Sequence, residues 1–158
     1  MSNPLVIDAV PGTSYADITR EFDAPVEALF HAHADPELFV QWIGPGALHT
    51  EITHWDFRSG GAYRFVQRDA DGEYAFRGSF HTVRENELII QTFEFEGWPD
   101  EVSIDTIRFE ALSDGRSRLV DHSVFPTIEV LQGMVAEGME RGMREGYDAL
   151  EKLLAGER

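Results

Sequence analysis

The side chains best suited to acid–base chemistry or metal binding in this sequence are its six histidines, because the chain contains no cysteine. The absence of thiols excludes disulfides, thiolate metal sites and cysteine nucleophiles. His31 and His33 are two residues apart in a predicted helix, where such residues do not share a face. We therefore expect no metal site from this pair, and we predict neither a metal nor a cofactor. A surface or packed position is expected for the other histidines, which fall in different predicted strands: His49, His54, His81 and His122.

His122 is nevertheless a weak candidate for catalysis, because its segment "VDHSVF" is the last predicted strand before the final helix. From there its side chain could reach a cavity beneath that helix. The neighbours Asp121 and Ser123 face the opposite way from His122, since side chains alternate along a strand. Their adjacency in the sequence therefore does not predict a Ser-His-Asp triad.

Glu94 is the second weak candidate, and its role depends on which face of its strand is buried. In "FEFE", Phe93 and Phe95 lie on one side of the strand and the two glutamates on the other. If the phenylalanines face inward, the glutamates are solvated. In the reversed register Glu94 is a buried acid with a raised pKa, which suits a general acid or base. The sequence leaves enzymatic activity open.

The charge of the chain limits its partners. Lysine and arginine total 13 against 29 aspartate and glutamate residues, which gives a net charge of −16. Such a surface repels nucleic acid and anionic membranes, so neither is a predicted partner. The first residues, "MSNPLVIDAVPG", lack the basic and apolar segments of a secretory signal. No apolar run reaches the roughly 18 residues of a membrane span, and we expect a cytoplasmic protein.

The pattern of apolar residues and turn signals predicts one strand, two short helices, six strands and one long helix. Tyr15 to Phe22 forms the first strand, Pro25 begins the first helix, and Asp35 caps the second. The "GPG" at Gly44 to Gly46 ends that second helix. Short turns then separate segments of antiparallel sheet, which are "HTEITHWDF", "AYRFVQR", "YAFRGSFHTV", "LIIQTFEFE", "EVSIDTIRFEAL" and "SRLVDHSVF". Gly78 inside one of them suggests a bulge or a sharp bend.

Glycines interrupt the final helix, which Thr127 is predicted to cap. Each glycine inside a helix costs about 1 kcal/mol relative to alanine. On a helical wheel, Gly138, Gly142 and Gly146 fall in the middle of the buried face, in the same arc as Val135. An unbroken helix here would be roughly 40 Å long, at about 1.5 Å per residue. The glycines either let the helix press closely onto the sheet or leave space between the two.

Aromatic residues are numerous enough to build the walls of such a space, although they could equally fill the volume that the glycines vacate. Trp42 is expected to close one end, because "GPG" holds its short helix beside the sheet. The predicted ligand-binding residues are Trp42, Trp55, Phe57, Tyr63, Phe65, Phe76, Phe80, Phe93, Phe95, His122, Met134, Gly138, Met139, Gly142 and Met143.

Four segments together resemble a known family: "PELFVQWIGPG", "DFRSGGAYRFVQRDADGEYAFRGSF", "ENELIIQTFEFEG" and "EGMERGMREGYDALEKLL". They are similar to the proteins named for the activator of a heat-shock-protein ATPase, in the START and polyketide-cyclase (SRPBCC) superfamily. The resemblance runs from about Ile18 to Leu154. It implies an α+β helix-grip fold, in which a curved antiparallel sheet wraps around a long C-terminal helix, with two short helices after the first strand.

The resemblance also implies a function, because relatives commonly hold an apolar ligand between the sheet and the helix. We therefore expect residues 1–158 to form a single helix-grip domain, with its core at about 15–154, that binds a small apolar or aromatic, lipid- or polyketide-like molecule. An enzyme of the cyclase or hydrolase type is the first alternative. A chaperone ATPase cofactor or another protein-interaction module is the second. The sequence leaves a homodimer open.

Overall fold

The computed structural model describes residues 3–44 and 48–156 of the chain. The strands are β1 (Val6–Ala9), β2 (Tyr15–Phe22), β3 (His49–Trp55), β4 (Ala62–Asp69), β5 (Gly72–Arg84), β6 (Leu88–Phe95), β7 (Ser103–Ala111) and β8 (Ser117–Val124). The α-helices are α1 (Val26–Ala34), α2 (Pro36–Trp42), α3 (Ile128–Ala136) and α4 (Met139–Leu154).

All the strands form one antiparallel sheet, in the order β1-β2-β8-β7-β6-β5-β4-β3. Successive hairpins connect β3 through β8, as the turn signals predicted, while α1 and α2 carry the chain from β2 to the far edge at β3. The α+β helix-grip fold is confirmed. The prediction of a single strand before α1 was wrong, because the short and largely exposed β1 pairs with β2 at the sheet edge.

Two helices are capped at their first turn by the side chains that the sequence predicted. The Asp35 carboxylate accepts a hydrogen bond from the amide of Glu37 at 2.9 Å, and Pro36 is the first residue of α2. The Thr127 hydroxyl accepts one from the amide of Val130 at 3.1 Å. Each bond satisfies an amide that has no partner within its helix. Pro45 and Gly46 of the predicted "GPG" stop lie outside the described residues.

The prediction of one unbroken C-terminal helix was wrong, because the stretch breaks between α3 and α4. Gly138 takes a left-handed conformation, with φ of 95°, and caps the start of α4. Glycine adopts this conformation without the steric penalty that other residues meet. Because of this break, a helical wheel drawn for one continuous helix does not describe the buried faces of both α3 and α4. Val135, expected on the buried face, is 47% exposed.

Two tryptophans fasten the helices and the sheet together. The indole Nε1 of Trp42 donates to the carbonyl oxygen of Ala32, and that of Trp55 donates to the carbonyl oxygen of Ala34, both at 2.9 Å. These carbonyls lie in the last turn of α1, where no helical amide is left to bind them. The two bonds therefore hold α2 and β3 at the end of α1. No helix within residues 3–44 and 48–156 has the length and apolarity needed to cross a membrane.

Candidate functional site

A pocket of about 530 Å³ lies between the inner face of the sheet and the helices α2, α3 and α4. The structure brings together every predicted ligand-binding residue except His122. Those that line the pocket are Trp42, Trp55, Phe57, Tyr63, Phe65, Phe76, Phe80, Phe93, Phe95, Met134, Gly138, Met139, Gly142 and Met143.

The aromatic side chains of the sheet form a continuous wall on the pocket. The ring of Phe76 stacks between those of Phe65 and Phe93, with centroid distances of 5.2 and 5.4 Å. The rings of Trp55 and Phe57 stack 6.0 Å apart, at an interplanar angle of 7°. Side chains of alternate residues share one face of a strand, so β3 to β6 present Trp55, Phe65, Phe76 and Phe93 to the same side. Phe57 lies just beyond the end of β3. The contacts between rings hold the wall in place.

Trp42 lies where α2 meets α4. Its ring stacks on that of Tyr147 with a centroid distance of 5.9 Å and an interplanar angle of 22°. Only 4% of Trp42 is exposed, and both residues line the pocket. The pair therefore closes the pocket on the side of α2.

The glycines of the C-terminal stretch serve different purposes. A Cβ added to Gly142 would meet no described residue within 4 Å, whereas one at Gly146 would lie 3.4 Å from the backbone oxygen of Trp42. A Cβ at Gly133 would lie 2.8 Å from the ring of Trp98. Gly146 and Gly133 thus permit close packing, and Gly142 leaves space. Both interpretations of the glycines apply, at different positions.

The break between α3 and α4 forms the mouth of the pocket. Glu137, Gly138, Gly142 and Glu145 are exposed to solvent and also line the pocket. Residues that do both mark the boundary between the pocket and bulk water. We call these four residues the mouth. Its charged groups are the two glutamates.

Two carboxyl groups that the sequence analysis did not single out lie on the opposite, sheet side of the pocket. Asp105 of β7 pairs with Ser123 of β8, and Asp121 of β8 pairs with Ile107 of β7. In an antiparallel pair such diagonal neighbours on one face lie within reach of each other. Both aspartates line the pocket, and we call them the acid pair.

The acid pair is in an environment that disfavours negative charge. Burial raises the pKa of Asp121 well above its usual range, and the nearby charge of Asp105 adds to the effect. Burial also raises the pKa of Asp105, although hydrogen bonds from Ser123 and Gln91 oppose this. Asp121 is 4% exposed. Its Oδ1 atom has no hydrogen-bond partner among the described residues.

Tyr147 and Tyr63 lie beside the acid pair. Burial raises the pKa of Tyr147, and the charges of Asp121 and Asp105 raise it further. The pKa of Tyr63 is raised by burial and then by Asp105. The Tyr63 hydroxyl donates to the backbone oxygen of Thr92 at 2.6 Å, which fixes its ring. The two phenol rings therefore stay neutral next to the carboxyl groups.

His33 is a further lining residue that the sequence analysis did not identify. Its Nδ1 donates to the carbonyl oxygen of Leu29 at 2.9 Å. Burial lowers the pKa of His33 to about 4, so the ring is neutral near pH 7. It packs against the rings of Trp42 and Phe109 at 4.8 and 5.1 Å. His33 therefore contributes no positive charge to the pocket.

The placement of His122 at a ligand site was wrong. Its Nδ1 donates to the Asp17 carboxylate at 2.7 Å, and its ring lies 5.1 Å from that of Tyr15. Because Asp121 and Ser123 face the pocket, strand alternation turns His122 to the outer face of the sheet. It therefore cannot act on a molecule in the pocket.

Glu94 also lies on the outer face, opposite Phe93 and Phe95. Its carboxylate accepts from Arg77 at 2.9 Å and from the amide of Asp100 at 2.8 Å. These two hydrogen bonds lower the pKa of Glu94, the bond from Asp100 having the larger effect. Glu94 is only 7% exposed, so the expectation of a solvated glutamate was wrong. The alternative was right about burial but wrong about a raised pKa, because the two hydrogen bonds lower it. It contributes to a depression of about 490 Å³ on the outer face.

The sequence matches the family described as Activator of Hsp90 ATPase homolog 1-like protein over residues 23–155. No curated protein matches it. Among the described residues, no three histidine, aspartate or glutamate side chains gather as metal ligands would.

Solved structures share the fold over nearly the whole chain. Protein Ms6760 from Mycobacterium smegmatis is 25% identical with a TM-score of 0.85, over 96% of this chain and 97% of that protein. A protein from Arthrobacter aurescens, solved by NMR, is 26% identical with a TM-score of 0.86, over 96% of this chain and 91% of its own. An HSP90 activator from Plasmodium falciparum is 18% identical with a TM-score of 0.62, over 90% of this chain and 96% of that protein. This last likeness concerns the fold alone.

Proposed function

This chain belongs to the family of Activator of Hsp90 ATPase homolog 1-like proteins, and we propose that it binds a small apolar or aromatic molecule in the pocket between the sheet and the C-terminal helices. The observation that carries the proposal is the unfilled volume of about 530 Å³ behind a wall of aromatic rings. Pockets for small molecules commonly measure about 300–1,000 Å³ and are mostly apolar with a few polar groups. This pocket has that size and that composition.

The position of Gly142 supports the same function. A glycine in a helix is unfavourable by about 1 kcal/mol relative to alanine. Within residues 3–44 and 48–156 no neighbour requires one here, because a Cβ would meet none of their atoms within 4 Å. Gly142 belongs to the mouth, where a larger side chain would stand in the path of an entering molecule. Passage of a ligand into the pocket would therefore explain why position 142 is a glycine.

Calorimetric titration with naphthylethanol, a neutral aromatic alcohol small enough for the pocket, tests the proposal. We expect the parent protein to bind it at one saturable site. Gly142→Leu should fold normally and lose most of this binding, because the leucine side chain enters the mouth. Arg141→Leu is the matched control, since it adds the same side chain on the neighbouring residue, where the arginine side chain is 86% exposed.

The outcomes separate clearly. Binding to the parent and to Arg141→Leu, together with weak binding to Gly142→Leu, supports the proposal. Equal binding to all three proteins places the site elsewhere and contradicts it. Native mass spectrometry of freshly purified protein gives an independent readout, because a ligand retained from the cell adds its mass to the parent.

An enzyme of the cyclase or hydrolase type is a second candidate, and the acid pair is the observation that favours it. A carboxyl group that keeps its proton near neutral pH can act as a general acid. If Asp121 acts in this way, the parent releases a product, while Asp121→Asn retains a precursor of different mass. Ligands of the same mass from both proteins favour binding without a reaction.

A further inference from the structure

The charged groups that line the pocket have one sign. Asp105 and Asp121 lie on its sheet side, and Glu137 and Glu145 lie at its mouth. Within residues 3–44 and 48–156, no arginine or lysine is among the lining residues. His33 is neutral, because its pKa is about 4. The pocket and its entrance therefore attract positive charge and repel negative charge.

Asp121 offers a specific point of attachment. Its Oδ1 atom is buried and has no hydrogen-bond partner among the described residues, and Asp121 is only 4% exposed. A buried polar atom without a hydrogen-bond partner is unfavourable. A ligand that donates a hydrogen bond to Oδ1 removes that cost. Asp105, the diagonal neighbour of Asp121 on β7, lines the same pocket.

We propose, building on the function proposed above, that the ligand is an apolar or aromatic amine whose ammonium group binds between Asp121 and Asp105. The apolar part of such a molecule would pack against the aromatic wall. Its ammonium group would donate to the unpartnered Oδ1 of Asp121, and its positive charge would favour release to solvent of the proton that burial and mutual repulsion keep on the acid pair without a ligand. Hydrogen bonds between ionised partners are roughly twice as strong as neutral ones.

The aromatic rings beside the acid pair suit the same group. Tyr147 and Tyr63 lie near enough to the carboxyl groups for their ionisation to be disfavoured by them. Tyr147 in turn stacks on Trp42, 5.9 Å away. Cations are attracted to the faces of such rings, and the attraction is stronger when water is excluded. The rings and carboxyl groups together can replace the water around an ammonium group.

A ligand that carries a carboxylate, such as a fatty acid, is disfavoured by the same acidic residues. It would have to pass Glu137 and Glu145 and then lie next to two carboxyl groups, with no arginine or lysine among the described lining residues to pair with it. Burial of an unpaired charge is strongly unfavourable. A neutral alcohol avoids this repulsion but gains no ion pair. The expected order of affinity is therefore amine, then alcohol, then carboxylate.

Three probes that share a ring system test the order: naphthylethylamine, naphthylethanol and naphthylacetate. Each is titrated calorimetrically into the parent at neutral pH. We expect the amine to bind about tenfold more tightly than the alcohol or better, which corresponds to one charge-assisted hydrogen bond. Naphthylacetate should bind most weakly. Asp121→Asn should remove the preference for the amine, so that the amine and the alcohol bind this variant with similar affinity.

Two further variants serve as controls. Asp105→Asn should reduce the preference for the amine as well, and it provides the test if Asp121→Asn does not fold. Asp8→Asn removes the same charge from an exposed position on β1 and should leave all three affinities unchanged. If Asp8→Asn also loses amine binding, the preference comes from the net charge of the protein and not from the acid pair. That result would overturn the inference.

The failure of this inference is distinguishable from the failure of the proposed function. If the alcohol binds at the pocket as tightly as the amine, the inference is wrong and the proposed function stands. If naphthylacetate binds best, the inference is likewise wrong. If none of the three probes binds, the proposed function fails and the inference fails with it.

Discussion

Gly142 and Gly146 are one helical turn apart in α4 but face different surroundings. A Cβ at Gly146 would lie 3.4 Å from the backbone oxygen of Trp42, while one at Gly142 would meet nothing within 4 Å in the part of the chain that the structure describes. Gly146 is buried where α4 packs on α2, and Gly142 lies at the mouth of the pocket. The same residue type thus supports close packing at one position and open volume at the next turn.

Gly142→Ala should stabilise the protein by up to about 1 kcal/mol, because alanine is the better helix former and its methyl group meets no neighbour. Gly138→Ala should destabilise it by about 1–2 kcal/mol, because Gly138 is left-handed, which is unfavourable for a residue with a Cβ. Denaturant unfolding of both variants measures the difference. A Gly142→Ala protein that unfolds well before the parent would contradict the open volume at the mouth.

Gly146→Leu should be destabilised by about 1–3 kcal/mol or more, because the larger side chain is forced against the backbone of α2. Gly142→Leu should retain nearly the stability of the parent. Thermal melts of the two leucine variants, one turn apart on the same helix, provide the comparison. Equal losses of stability would show that α4 presses on its neighbours along its whole length.

Asp121→Asn should alter the pH dependence of stability. The pKa of Asp121 is raised by burial, by Asp105 and by Asp17, whereas an unfolded aspartate titrates near about 3.9. Above that pH the unfolded state loses a proton that the folded state retains, so the parent loses stability as the pH rises toward the folded pKa. The free energy of unfolding should fall less over this range in Asp121→Asn. Parallel pH profiles for the two proteins would contradict a raised pKa.

His33 should produce the opposite slope. Its pKa is about 4 in the folded state and about 6.5 when unfolded. As the pH falls from about 6.5 to about 4, the unfolded state gains a proton that the folded state does not take up, so stability decreases. His33→Asn keeps an NH donor attached to Cγ and has no titratable ring. The stability of this variant should depend less on pH over that range, whatever its absolute value.

Most of the fold could be predicted from local sequence patterns, because tertiary contacts did not override them. Period-two alternation, turn signals, and the capping residues Asp35 and Thr127 identified the helices and most strands. The break at Gly138 was missed because apolar residues continue at helical spacing on both sides of it. Only the glycine itself signals the break, and glycine was equally present at Gly142 and Gly146, which are helical. The short β1 carries too little alternation to be recognised.

The aromatic wall was predicted because aromatic residues at alternate strand positions share a face, whereas the acid pair was missed although the sequence carries a signal for it. Asp105 shares a face with the buried Ile107 and Phe109, and Asp121 shares one with Leu119. If the buried face of each strand had been identified from its apolar residues, both aspartates would have been predicted to face inward. A charged residue at an inward position conflicts with the usual pattern of burial, and such conflicts are expected at functional sites.

The indole signals of the three tryptophans test ligand binding in the pocket most directly. Trp42 and Trp55 line the pocket, whereas Trp98 packs against Gly133 and is not among the described lining residues. In a ¹H–¹⁵N NMR titration with naphthylethanol, we predict that the indole signals of Trp42 and Trp55 shift saturably. The signal of Trp98 should move much less, and Gly142→Leu should suppress the shifts. Stationary signals for Trp42 and Trp55 at saturating probe would contradict the proposed function.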